Sequence, residues 1–122
     1  MKLTPKLKST IEKYKANAII VEGIKDKKAL ECFGFKKVFN IHKNSRSIRE
    51  SLEDISNSIN KNDKVSILTD LDKKGNEFNK QATTILQEIG FIIDLSFRKL
   101  LIKANISHVE GICNFLERVE GI

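Results

Sequence analysis

Two short apolar runs in this chain end in carboxylates. Ala18-Ile19-Ile20-Val21 leads into Glu22-Gly23, and Val65-Ser66-Ile67-Leu68-Thr69 leads into Asp70-Leu71-Asp72. Apolar, β-branched runs of this length read as buried strands, too short for helices. Acids clustered at such strand ends repel and shift one another's pKa values unless something positive sits among them. A divalent cation with hard oxygen ligands meets that need, and magnesium keeps several waters for a phosphate group. Glu22, Asp70 and Asp72 are therefore the candidate metal ligands, with Mg2+ as the expected ion and Mn2+ as its substitute. A plainer reading competes. The same acids would cap the helices that follow, or pair locally, Glu22 with Lys25 and Asp72 with Lys73 or Lys74.

Rival motifs fail on particular residues. An EF-hand loop starting at Asp70 would place Lys74 where an oxygen ligand is due and Gln81 at its closing glutamate. No Gly-x-x-x-x-Gly-Lys-Ser/Thr and no Gly-x-Gly-x-x-Gly occurs, which excludes a P-loop and a dinucleotide fingerprint. A phospho-acceptor receiver wants its acid pair after the first strand, whereas the pair here follows the third.

The elements that must position these acids alternate. A helix is expected over about 4–15, opened by Thr4-Pro5 and carrying Leu7, Ile11 and Tyr14 on one face. Strand one is Ala18 to Val21. Lys25 to Phe33 reads as a helix capped by Gly34, and Lys37 to Ile41 as strand two. Ile48, Leu52, Ile55 and Ile59 mark an amphipathic helix, and Val65 to Leu68 strand three. Gly75 opens a turn before a helix through Phe78, Ala82, Ile85, Leu86 and Ile89, which Gly90 ends. Phe91 to Leu95 is strand four, with helices at Phe97 to Ala104 and Ile112 to Val119. Strands alternating with helices imply right-handed crossovers and a parallel sheet. In such a sheet ligands bind beyond the carboxyl ends of the strands, where the strand order reverses. The expected order is 2-1-3-4, which brings Glu22 beside Asp70 and Asp72. Val-Glu-Gly-Ile occurs three times, from Val21, Val109 and Val119. Without a repeat period, the later two read as turn or terminal chemistry.

The 122 residues favour one domain, and the net charge of +6 points to an anionic partner, nucleic acid first. Glu22 to Arg49 holds eight Lys or Arg against three acids. Lys25, Arg46 and Arg98 should stand near strand ends, where a phosphate backbone would meet them. Phe33, Phe35, Phe39, Phe78, Phe91, Phe97 and Tyr14 read as core. His42 and His108 read as surface or structural residues. Cys32 and Cys113 fit no zinc spacing and are expected to be buried, reduced thiols. With no membrane-length apolar stretch and no signal-peptide pattern, a cytoplasmic protein is expected.

At this point the residues resemble a known family. Ile19-Ile20-Val21-Glu22-Gly23-Ile24-Lys25-Asp26 and Ile67-Leu68-Thr69-Asp70-Leu71-Asp72-Lys73-Lys74-Gly75 are similar to the two motifs of the Toprim domain. That domain is shared by DnaG-type primases, type IA and II topoisomerases, recombination proteins, OLD-family nucleases and a ribosomal-RNA-maturing ribonuclease. The resemblance covers about residues 16–100, and the size looks most like small stand-alone primase-like Toprim proteins, many of them archaeal. It implies a three-layer Rossmann-like α/β fold with a short, mainly parallel four-stranded sheet flanked by helices. The core would span about 16–100, with a helical extension over about 97–120. It implies Glu22 as general acid or base, and Asp70 and Asp72 as the magnesium pair. Gly23 would let a phosphate approach closely, with Asp26 and Gly75 as structural support; beside them Lys25, Arg46, Lys73 and Arg98 are the candidate phosphate contacts on charge and position. The implied activity is Mg-dependent nuclease or nucleotidyl-transfer chemistry on RNA or DNA phosphodiesters. The alternative is a non-catalytic metal-binding module that works with nucleic acid, a protein partner or a ribonucleoprotein. The chain departs from many relatives at Asn40 to Ser47, which holds no Gly and offers His42, Lys43, Asn44, Ser45 and Arg46 instead.

Overall fold

The computed structural model describes residues 5–41, 47–70, 72–106 and 109–120. Helix α1 (Pro5–Tyr14) begins on a proline, whose fixed φ suits a first helical position. Strand β1 (Ala18–Val21) is buried along its whole length. Helix α2 (Ile24–Cys32) starts at Gly23, whose amide donates to Asp26 Oδ2 at 3.3 Å. It stops where Gly34 turns left-handed at φ +91. Strand β2 (Val38–Asn40) and helix α3 (Ile48–Ser56) follow, with Ser47 capping α3 by accepting from the Glu50 amide at 3.1 Å. Strand β3 (Lys64–Leu68), helix α4 (Lys73–Ile89), strand β4 (Ile92–Ile93), helix α5 (Ser96–Lys103) and helix α6 (Val109–Glu120) complete the order.

The four strands form one parallel sheet in the order β2-β1-β3-β4. β1 lies between β2 and β3, with Ile19 opposite Val38 on one side and Ala18 opposite Val65 on the other. Because side chains alternate along a strand, the sheet has two apolar faces. Ile19, Val21 and Leu68 join Ile11, Leu30, Phe97, Leu101, Phe115 and Leu116 from α1, α2, α5 and α6. Ala18, Ile20, Val65 and Ile67 join Leu52, Ile55, Ala82, Ile85 and Leu86 from α3 and α4. This is the three-layer α/β architecture and the strand order that the sequence implies. Tyr14 is a core residue, stacked on Phe97 with ring centroids 4.6 Å apart.

Several local expectations change. α4 starts two residues before Gly75, because Asp72 caps it, so Gly75 lies in the first helical turn. The second Val-Glu-Gly-Ile copy begins α6 instead of forming a turn. Cys32 is exposed near the end of α2 and Cys113 is half-buried, and neither forms a disulfide. Strand four is shorter than its apolar run. Phe91 turns into the core, and Asp94 Oδ1 accepts from the Ser96 amide at 2.9 Å, starting α5 at once. His42 to Arg46, in the loop between β2 and α3, and His108 lie outside the described residues.

Candidate metal centre

β1 runs on to β2 on one side, and β3 to β4 on the other, so the strand order reverses between β1 and β3. The crevice beyond their carboxyl ends is where an open α/β sheet binds ligands. Glu22 follows β1 directly and Asp70 stands just past β3. The two ends are tied together: the Asp70 amide donates to Glu22 Oε1 at 3.2 Å. Both side chains are half-buried.

Asp72 takes part differently. Its Oδ1 accepts from the Gly75 amide at 2.7 Å, an N-cap of α4. Among the described residues, no three acidic, His or Cys side chains group closely enough to form a ready-made metal cage.

The turn itself is tight. A Cβ on Gly75 would lie 1.8 Å from the Asp70 carbonyl oxygen, so only glycine lets the first turn of α4 pack on that backbone. Thr69 Oγ1 donates to the Gly75 carbonyl at 2.7 Å and closes the turn from the other side. Gly23 contrasts with Gly75. Its φ of −132 is ordinary, and a Cβ there would meet only Asp26 Oδ2, at 3.9 Å. The fold makes no steric demand for glycine at 23, and a missing side chain leaves space at the mouth of the crevice.

Lys25 and Lys73 are exposed in the first turns of α2 and α4, the two helices that start at the crevice. Arg98, expected near a strand end as a phosphate contact, is buried at 7% exposure. Its Nη2 donates toward Thr69 Oγ1 at 3.2 Å, Asp70 O at 3.0 Å and Asn76 Oδ1 at 2.8 Å. Burial pulls the guanidinium pKa below its usual value, and the charges of Glu22 and Asp72 oppose that pull. Sequence reasoning also missed Thr69 and Asn76. One signal was present: Arg98 falls between Phe97 and Leu101 on the apolar stripe of α5, an inward position for a charged residue.

A family model for the Toprim domain matches residues 17–110. The chain belongs to the Toprim domain family. A UPF0292 protein of Archaeoglobus fulgidus is 32% identical over 107 residues, covering 85% of this chain and 80% of the relative. A UPF0292 protein of Pyrococcus horikoshii is 33% identical over 105 residues, 84% of this chain and 76% of its own. A solved structure of a protein from Aquifex aeolicus has a TM-score of 0.69 at 32% identity and covers 86% of this chain and 94% of that one. Toprim domains generally bind magnesium and act on nucleic acids. Among the described residues, no helix is long and apolar enough to cross a membrane.

The donor set suits magnesium. All three candidates offer hard carboxylate oxygens, and magnesium is usually held by one or two carboxylates plus waters and substrate phosphates, not by a full protein cage. Asp72 keeps its second oxygen after capping α4 with the first.

Proposed function

We propose that this Toprim chain is a Mg-dependent protein acting on phosphodiesters of RNA or DNA, by hydrolysis and not by polymerisation. The observation that carries the reading is the Glu22–Asp70 tie across the strand-order switch point, at 3.2 Å, within the Toprim match. Asp70 and Asp72, with Glu22, would hold the ion. Bound there, it would stabilise charge on the transferring phosphate and lower the pKa of a coordinated water. Glu22 is the general acid or base. Its half-buried carboxylate is held by the Asp70 amide, which fixes where it can take or give a proton. Lys25 and Lys73 bind flanking phosphates as exposed cations near two helix starts. Gly23 leaves the approach open. Asp26 supports the start of α2 through the Gly23 amide.

Two observations favour a second reading, a non-catalytic metal-binding module that works with nucleic acid or a ribonucleoprotein partner. Asp72 spends one oxygen on its helix, and the described acids do not converge as a trio. Cleavage of labelled structured RNA, duplex DNA and single-stranded DNA, with Mg2+, Mn2+ or chelator, separates the two. Metal-dependent cleavage that Glu22→Gln abolishes supports the enzyme and names its substrate. Binding without cleavage in either protein supports the module. Unchanged Mg2+ affinity after Asp70→Asn with Asp72→Asn would make the metal assignment wrong.

A further inference from the structure

Arg98 is the one buried charged side chain among the described residues. A buried cation persists only where other groups compensate its lost hydration. Its Nη2 has two hydrogens shared among three acceptors, Thr69 and Asp70 in the turn between β3 and α4 and Asn76 near the start of α4. Its Nε is buried and has no hydrogen-bond partner among the described residues. The side chain is thus placed at a hydrogen-bonding loss at Nε while Nη2 grips the turn.

The central contact is with backbone. Arg98 holds the carbonyl of Asp70 while Glu22 Oε1 holds its amide. Both main-chain polar groups of Asp70 are therefore fixed by side chains from other parts of the fold. A residue has only two soft backbone dihedrals, so fixing both peptide groups fixes the direction in which its Cβ leaves the chain. Thr69 and Asn76, the other acceptors, bracket the same turn on either side of Gly75.

Charge alone argues the opposite way. The guanidinium lies close enough to feel Glu22 and Asp72. A fixed cation beside these carboxylates repels a second cation. If Arg98 mattered only as a countercharge, removing it would tighten divalent-ion binding.

We propose that Arg98 is a positioning residue of the metal centre: by pinning the Asp70 carbonyl it aims the Asp70 carboxylate. Its loss therefore weakens Mg2+ binding even though it removes a repelling charge. This rests on the metal reading above. Outer groups that orient metal ligands typically matter by about 10–100-fold in affinity.

The test is a Mg2+ titration of the full chain, followed through the backbone amide resonances of Asp70 and Asp72, in wild type, Arg98→Gln and Arg98→Lys. The same spectra report whether each variant is folded. The expected result is binding weakened by about ten-fold or more in Arg98→Gln. Arg98→Lys keeps the charge but loses the planar fork, so it should weaken binding too, and it decides the matter if Arg98→Gln does not fold. Equal or tighter binding in the folded variants overturns the proposal and leaves the metal site standing. A wild type that does not respond to Mg2+ overturns both.

Discussion

Gly75 and Asp72 are the residues at which the fold and the proposed site are hardest to separate. A side chain at 75 has nowhere to go, because the obstacle is the Asp70 backbone and not a flexible side chain. Gly75→Ala should cost about 2–3 kcal/mol, the upper range for overpacking, and should shift the Asp70 amide resonance. Urea unfolding with the wild type alongside checks it. Asp72 can be dissected because asparagine caps a helix about as well as aspartate. Asp72→Ala should lose about 1 kcal/mol of stability, whereas Asp72→Asn should keep it while lowering Mg2+ affinity. Equal Mg2+ affinity in Asp72→Asn and wild type would reduce Asp72 to a cap. The acids were legible because strand-ending carboxylates are conspicuous in sequence. Arg98 was legible as a type but not as a role. Its acceptors at Thr69 and Asp70 come from another element, and no spacing rule links α5 to that turn.

At the scale of elements, periodicity predicted most of what is seen. β1 has the bounds its apolar run implies, and Gly34 and Gly90 take the left-handed conformation expected of helix-ending glycines. The misses lie where a side chain redirects the backbone. Asp72 starts α4 early, and Asp94 ends β4 early. Asp94 also holds β3 and β4 to the start of β1. Asn17 Nδ2 donates to Asp94 Oδ2 at 3.0 Å and to the buried Ser66 Oγ at 3.1 Å. Burial pushes the Asp94 carboxyl up. Hydrogen bonds from the Ser96 hydroxyl and amide and from Asn17, with the charge of Lys64, outweigh it and leave the pKa below its usual value. A lowered pKa means that the folded state binds this proton less readily than the unfolded chain. The contribution to stability is therefore complete above roughly pH 4, the unfolded value, and is lost as the pH falls through the folded one. Urea midpoints measured from neutral pH into acid should fall less steeply in Asp94→Asn. Identical slopes would show that another group carries the acid sensitivity.

For the whole molecule, the net charge of +6 makes a prediction independent of any one residue. Affinity for RNA or DNA should fall linearly with salt on logarithmic axes, by counterion release. Fluorescence anisotropy over a salt series measures the slope, and a flat line would remove the basic surface as the contact. The ladder that builds the crevice also sets when it comes into being. Ala18 lies opposite Val65, the widest sequence separation among the three strand pairings. Pairings of wide separation close large loops and form slowly. As the chain leaves the ribosome, β1 and β2 can meet while β3 is still unmade. Glu22 then has no Asp70 to face, and the turn that carries Asp70 stays unclamped until α5 has emerged. A nascent chain stalled before α5 would hold Glu22, Asp70 and all four strands but lack Arg98, so the proposed site would gain its clamp only after the sheet had been made.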